Sequence, residues 1–160
     1  MHDELDVFRE ICGRAPNFTD GSSEPASNRH PFDRRNLAAQ LSGKTKELFD
    51  NGHYSESVFE ALKLFDQRIA RISGITDTGR GLMMAAFSKN KPKIQLNSLM
   101  SETQTNEQEG YMFITAGMMS AIRNPRGHEA EYYDDVDSCL DYLTLVSLCI
   151  RKIEHAGISF

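Results

Sequence analysis

The chain has 160 residues, 39% of them apolar and 26% charged, with a formal net charge of −5. That balance suits one soluble folded domain with a real core and argues against disorder. No run reaches the roughly 18 uninterrupted apolar residues of a membrane span, and the net negative charge excludes a nucleic-acid binder of the basic-stripe kind. Any RNA contact must come from a local positive site.

The opening, Met1-His2-Asp3-Glu4-Leu5-Asp6, is acidic and lacks the apolar centre of a signal peptide, so a cytoplasmic location is expected. Leu5, Phe8, Ile11 and Cys12 suggest a short amphipathic helix. Gly13 to Pro31, with Pro16, Gly21, Ser22, Ser23, Pro25, Ser27 and Asn28, has the composition of a linker. Residues 1–31 are therefore predicted to be a peripheral helix and flexible linker, and 32–160 a helical domain.

Within that domain the helix signals are strong and strand signals nearly absent. Asp33 is a plausible N-cap for a helix carrying Leu37, Leu41, Leu48 and Phe49. From Tyr54 to Ser73, the positions Val58, Leu62, Phe65, Ile69 and Ile72 draw one stripe at helical spacing. Gly52 and Gly74 stand where left-handed caps close two successive helices. A short helix is expected from about Gly79 to Phe87, then a loop from Lys89 to Gln104. Gln108 to Arg123 is apolar on most sides, which predicts a helix buried in the middle of a bundle. Pro125 is expected to stop it. The last helix, from about Glu131 to His155, carries Val136, Leu140, Leu143, Val146, Ile150 and Ile153, and Gly157 closes it. The predicted core contains Val58, Leu62, Phe65, Ile69, Ile114, Met118, Leu140 and Leu143. The methionine pairs Met83-Met84 and Met118-Met119 are most simply core fillers.

Cys12, Cys139 and Cys149 form no metal-binding pattern. The last two lie ten residues apart on one predicted helix, about 15 Å along its axis, too far to pair or share an ion. They read as buried or idle thiols, and no metal or cofactor is implied.

The chemistry concentrates in Arg123-Asn124-Pro125-Arg126-Gly127-His128. A guanidinium can hold two phosphate oxygens in a fork, and an imidazole titrating near neutral pH can move a proton. Asn124 offers both a donor and an acceptor to orient its neighbours. Arg80, Lys89, Lys91, Lys93 and Arg126 are candidate RNA-binding cations. The bland readings stand beside these. Arg123 can be a helix-end cation paired with Glu129 or Glu131, His128 a turn residue, and the lysines a solvated loop. His53 is better explained as a packing residue than as a second catalytic histidine.

With the helices placed, the chain resembles the HEPN superfamily and, within it, the Ymh-like proteins. The matching residues are Gly52-His53-Tyr54 with Ala61, Gly81-Leu82-Met83 with Ala86-Phe87, Gln108-Glu109-Gly110, Gly117, and Arg123-Asn124-Pro125 with His128. They follow the family's order from about Leu41 to Ile153. The resemblance implies an all-α antiparallel bundle of four to five helices that forms a homodimer. It also implies a metal-independent RNA endonuclease marked by an Arg, a polar residue and a His after four to six positions. Arg123, Asn124 and His128 match with four intervening residues. Roles in phage defence or as a toxin, with a partner protein encoded nearby, follow from the same resemblance. Relatives paired with a nucleotidyltransferase antitoxin often carry Tyr two places after the His, where this chain has Ala130. The alternative is a non-catalytic HEPN module that binds nucleotide, RNA or a protein. A third reading is a scaffold that only dimerises through its apolar helices.

Overall fold

The structure, a computed structural model, describes residues 29–129 and 132–160, all of them helical or irregular with no strand. The chain divides into two compact units at Arg34/Arg35. The predicted opening helix, the linker up to Asn28 and Cys12 lie outside the described residues, as does Glu131.

Of the first unit, the described part is residues 29–34, including one helical turn, α1 (Pro31–Arg34). The second unit opens with a 3-10 turn (Ala39–Leu41) and runs through α2 (Lys44–Asp50), α3 (Tyr54–Ser73), α4 (Gly79–Ala86), α5 (Glu102–Gly117), a π-helical segment (Met118–Arg123), α6 (Asn124–His128) and α7 (Val136–His155). The single helix expected from Asp33 to Phe49 is thus broken twice. Asn36 takes a left-handed φ of 47°, and Gly43 precedes the restart at Lys44. Asp33 lies inside the first turn instead of capping a long helix.

Helix α3 organises the unit through its stripe, of which Val58, Leu62, Phe65 and Ile69 are fully buried and Ile72 half-buried. At roughly 1.5–3 kcal/mol for each large apolar side chain removed from water, that one face contributes most of the helix's reason to exist. α2, α4, the π segment and α7 pack around it. Gly74 ends α3 in the left-handed conformation (φ 69°), its N–H donating to the Ala70 carbonyl at 2.9 Å. No side chain with a Cβ takes that φ without strain.

Helix α7 supplies the opposing face through Leu140, Leu143, Val146, Ile150 and Ile153, all buried. It starts at Val136 and not near Glu131, because Asp135 caps it and accepts from the Ser138 N–H at 2.8 Å. Val136 therefore sits in the first turn and is 38% exposed. Ser147 on α7 accepts the Ala38 N–H at 2.8 Å, which pins the start of the unit to this helix.

α5 begins six residues earlier than its apolar run, since Ser101 accepts from the Gln104 N–H at 3.2 Å and caps it. Gln108, fully buried, staples the preceding loop to the helix. Its amide donates to the Phe87 and Ile94 carbonyls at 3.0 Å and its oxygen accepts the Leu96 N–H at 2.9 Å. The expectation that α5 is buried all round is corrected. Met112, Ala116, Met118 and Met119 face the core, but Phe113 is 57% and Ile114 42% exposed. Of the predicted core, Ile114 alone lies outside it.

A continuous helix across Pro125 places the candidate site

Pro125 does not stop the helix. α5 passes into the π segment and then into α6, with Pro125 in the first turn of the latter and Arg123 and Asn124 in helical φ/ψ. In an α-helix the proline ring would strike the carbonyl four residues back, and its missing N–H would leave that carbonyl free. The wider π turn, closed by the Asn124 N–H on the Met119 carbonyl, relieves the clash. On the same turn the Ile122 carbonyl accepts from the Arg126 side chain, Nη1 at 2.6 Å.

Arg126 is consumed by this work. Its Nε and Nη2 fork onto Asp134 at 2.7 and 2.5 Å, and its guanidinium lies between the rings of Tyr132 and Tyr142 at 4.6 and 4.5 Å. Both charges are buried, the side chains 1% and 5% exposed. Burial alone would lower the Arg126 pKa, but the hydrogen bonds and charge of Asp134 outweigh it and hold the guanidinium above its ordinary value. The sequence reading of Arg126 as an RNA-binding cation is corrected: every fork is taken by the protein.

Arg123 has the opposite surroundings. Among the described residues its guanidinium forms no ion pair, so pairing with Glu129 is not its role; Glu131 lies outside the described residues. Its Nε is buried without a hydrogen-bond partner. The side chain is held from below by the Phe59 ring, 5.8 Å from the guanidinium carbon. Gly79 closes one side. A Cβ there would stand 4.0 Å from Arg123 Nη1, and the φ of 63° suits glycine in any case. The Gly79 N–H donates to buried Asp66 at 2.7 Å, which fixes the start of α4 against α3.

Asn124 and His128 are exposed, and among the described residues neither side chain has a hydrogen-bond partner. His128 stands five residues beyond Arg123 on one helical path, about 7.5 Å along the axis. Gly127 makes that path possible, because a Cβ there would meet Phe59 Cε2 at 3.0 Å. Phe59 thus lies against Arg123 with its ring face and against Gly127, the residue before His128, with its edge.

The other candidate cations divide. Arg80 is exposed in the first turn of α4, beside the Gly79 that touches Arg123. Lys89 is paired with Glu109 at 2.7 Å, and Glu109 lies fourteen residues before Arg123, about 20 Å along the helix. Lys91 and Lys93 share that distant loop, so the structure does not bring the three lysines to the motif. His53 is exposed, 3.9 Å from Glu56, and does not join it. Cys139 and Cys149 are buried free thiols, their pKa values pushed up by burial to about 12. No three His, Cys, Asp or Glu side chains among the described residues converge as a metal site. Periodicity gave no hint of Phe59, Asp66 or Asp134, though an aspartate inside the apolar stripe of α3 was a legible irregularity.

No curated protein and no solved structure matches the chain. A family model described as "Protein of unknown function (Hypoth_ymh)" matches residues 35–153, the whole run from the 3-10 turn to the end of the α7 core stripe, with Arg123, Asn124 and His128 inside it. By that match the chain belongs to the Hypoth_ymh family.

Proposed function

We propose that this protein is a metal-independent RNA endonuclease of the HEPN type, working as a homodimer in the cytoplasm, in phage defence or as a growth-arresting toxin. The observation that carries the reading is the state of Arg123. A partly buried cation with no carboxylate partner among the described residues, and with a buried donor unspent, is costly to maintain unless a ligand completes it. A phosphodiester supplies the two oxygens that a guanidinium fork accepts.

The chemistry follows from the three residues. Attack of the 2′-hydroxyl on phosphorus forms a 2′,3′-cyclic phosphate and releases the 5′-oxygen. One proton leaves the attacking hydroxyl and one reaches the leaving oxygen. His128, exposed and free to turn, moves one of these protons. Arg123 neutralises the charge that builds on the non-bridging oxygens. Asn124, between them, orients the phosphate or the imidazole.

One histidine handles one proton, so a second copy across a two-fold axis would complete the set. The outward face of α5 supports such pairing. Phe113, Ile114, Gly117, Ser120 and Ala121 are exposed along it and lead to Asn124 and His128. A Cβ at Gly117 would meet nothing within 4 Å, so internal packing does not require that glycine. Cleavage of mixed RNA in EDTA, ending in 2′,3′-cyclic phosphates and 5′-hydroxyls, is the expected result. RNA left intact at micromolar dimeric protein would favour the binding-module reading. Light scattering of Phe113→Glu should return a folded monomer without activity; a wild-type monomer would remove the second half of the site.

A further inference from the structure

A cavity of about 180 Å³ is walled by Phe59 and lined further by Ser55, Glu56, Arg126, Glu129 and Tyr132. We infer that it receives one RNA base and selects guanine, an inference that rests on the nuclease reading for the phosphate at Arg123. Its position is set by Phe59, which touches Arg123 with its face and Gly127 with its edge while walling the cavity. A phosphate on Arg123 and the base of an adjoining nucleotide would thus share Phe59 as a neighbour.

The lining divides the work by charge. Two aromatic rings, Phe59 and Tyr132, offer faces or edges to a base. The carboxylates of Glu56 and Glu129 only accept, while the Ser55 and Tyr132 hydroxyls can donate or accept. Arg126 is already engaged by the protein, its Nε and Nη2 on Asp134 and its Nη1 on the Ile122 carbonyl. The Glu56 carboxylate stands 3.9 Å from His53 and is 63% exposed, and the exposed Glu129 carboxylate has no partner among the described residues. Two carboxylates repel a phosphate, so the strand's charge belongs on Arg123 and its base here. Among the four bases, guanine presents two adjacent N–H donors, the ring imino and the exocyclic amine, which one carboxylate accepts in a fork. Adenine, cytosine and uracil each place an acceptor next to their donor and would face a carboxylate with like charge.

Calorimetric titration of the full chain with the 3′- and 5′-monophosphates of guanosine, adenosine, cytidine and uridine tests this without any cleavage. A guanosine nucleotide should bind at least about tenfold more tightly than the other three. The double variant Glu56→Gln, Glu129→Gln should lose that preference while keeping its melting transition. Phe59→Leu should weaken all four nucleotides, and Phe59→Tyr should keep them if the leucine variant misfolds. Equal affinity for the four nucleotides, or a preference untouched by the double variant, overturns the pocket. Cleavage of RNA without preference for guanosine would do the same and leave the nuclease reading intact. Guanosine binding in a protein that cuts no RNA would support the pocket and remove the nuclease.

Discussion

Arg123 and Arg126 stand three residues apart on one helical path and have opposite fates. Arg126 is enclosed by Asp134, two tyrosine rings and the Ile122 carbonyl. Arg123 has a phenyl ring beneath it, a glycine beside it and an unspent Nε. A buried charge with all its partners is part of the architecture. A charge with no ion-pair partner among the described residues is, on the proposed reading, left for a phosphate. Identical side chains on one helix turn thereby meet opposite surroundings.

The sharpest way to break this comparison is to remove the partner of the scaffold arginine. Asp134→Asn leaves the Arg126 charge buried and uncompensated, which costs about 3–5 kcal/mol. A large fall in the urea midpoint is expected, with loss of activity following from the unfolding of α6. Arg123→Ala removes no ion pair and should change stability by less than about 1 kcal/mol. If the two variants melt together, the division between scaffold and site is wrong.

Activity sharpens the same contrast from the other side. Arg123→Ala should lower both RNA affinity and cleavage, because the cation meets the phosphate in the ground state and more strongly in the transition state. Arg123→Lys should not restore cleavage, as an ammonium has no planar fork. His128→Ala should bind RNA nearly as wild type while cleavage falls by roughly 10²–10⁴-fold, the usual worth of a general acid or base. Anisotropy and single-turnover cleavage on the same preparations separate these outcomes. Cleavage that survives His128→Ala would return the imidazole to a structural role.

How much of this was legible in the sequence depends on which force decides each position. The stripes of α3 and α7 are set by burial on one face at a fixed period, and both were read to within a residue or two, apart from the α7 start, where the Asp135 cap prevailed. Pro125 was misread because the rule for proline presumes α geometry, and a π turn removes the clash that the rule rests on. Ile114 was misread because a helix with an apolar outward face has the same composition as one buried all round. Arg126 could not be resolved, since its partner lies eight residues away across an irregular segment and shares no period with it. The Arg123–His128 motif was visible as residue types, whereas the absence of an ion-pair partner for Arg123 among the described residues is a fact of packing.

The thiols mark a middle tier of effect. Burial raises both Cys139 and Cys149 to about 12, so between pH 9 and 12 the unfolded chain releases protons that the folded one retains. Their contribution is complete below the unfolded value and fades as pH rises toward the folded one, at up to about 1.4 kcal/mol per pH unit for each thiol. Stability should decline above pH 9, and Cys139→Ala with Cys149→Ala should flatten that decline even if it costs stability at pH 7. Rapid reaction of either thiol with a disulfide reagent in the native protein would show that the α7 face is open.

The smallest expected effect concerns the cations that the fold carries away from the motif. Lys89 is neutralised by Glu109 about 20 Å from Arg123, and Lys91 and Lys93 lie in the same loop, so Lys89→Gln, Lys91→Gln and Lys93→Gln together should change RNA affinity by less than about threefold at physiological salt. Removing one cation that touches a phosphate reduces the salt dependence of binding by close to one unit in slope, so the slope of the triple variant should match wild type. Arg80→Gln, at the start of α4 near Arg123, should lower the slope by about one although it removes a single charge. A larger slope change from the three lysines than from Arg80 would mean that RNA runs the length of α5, with a phosphate track reaching the distant loop.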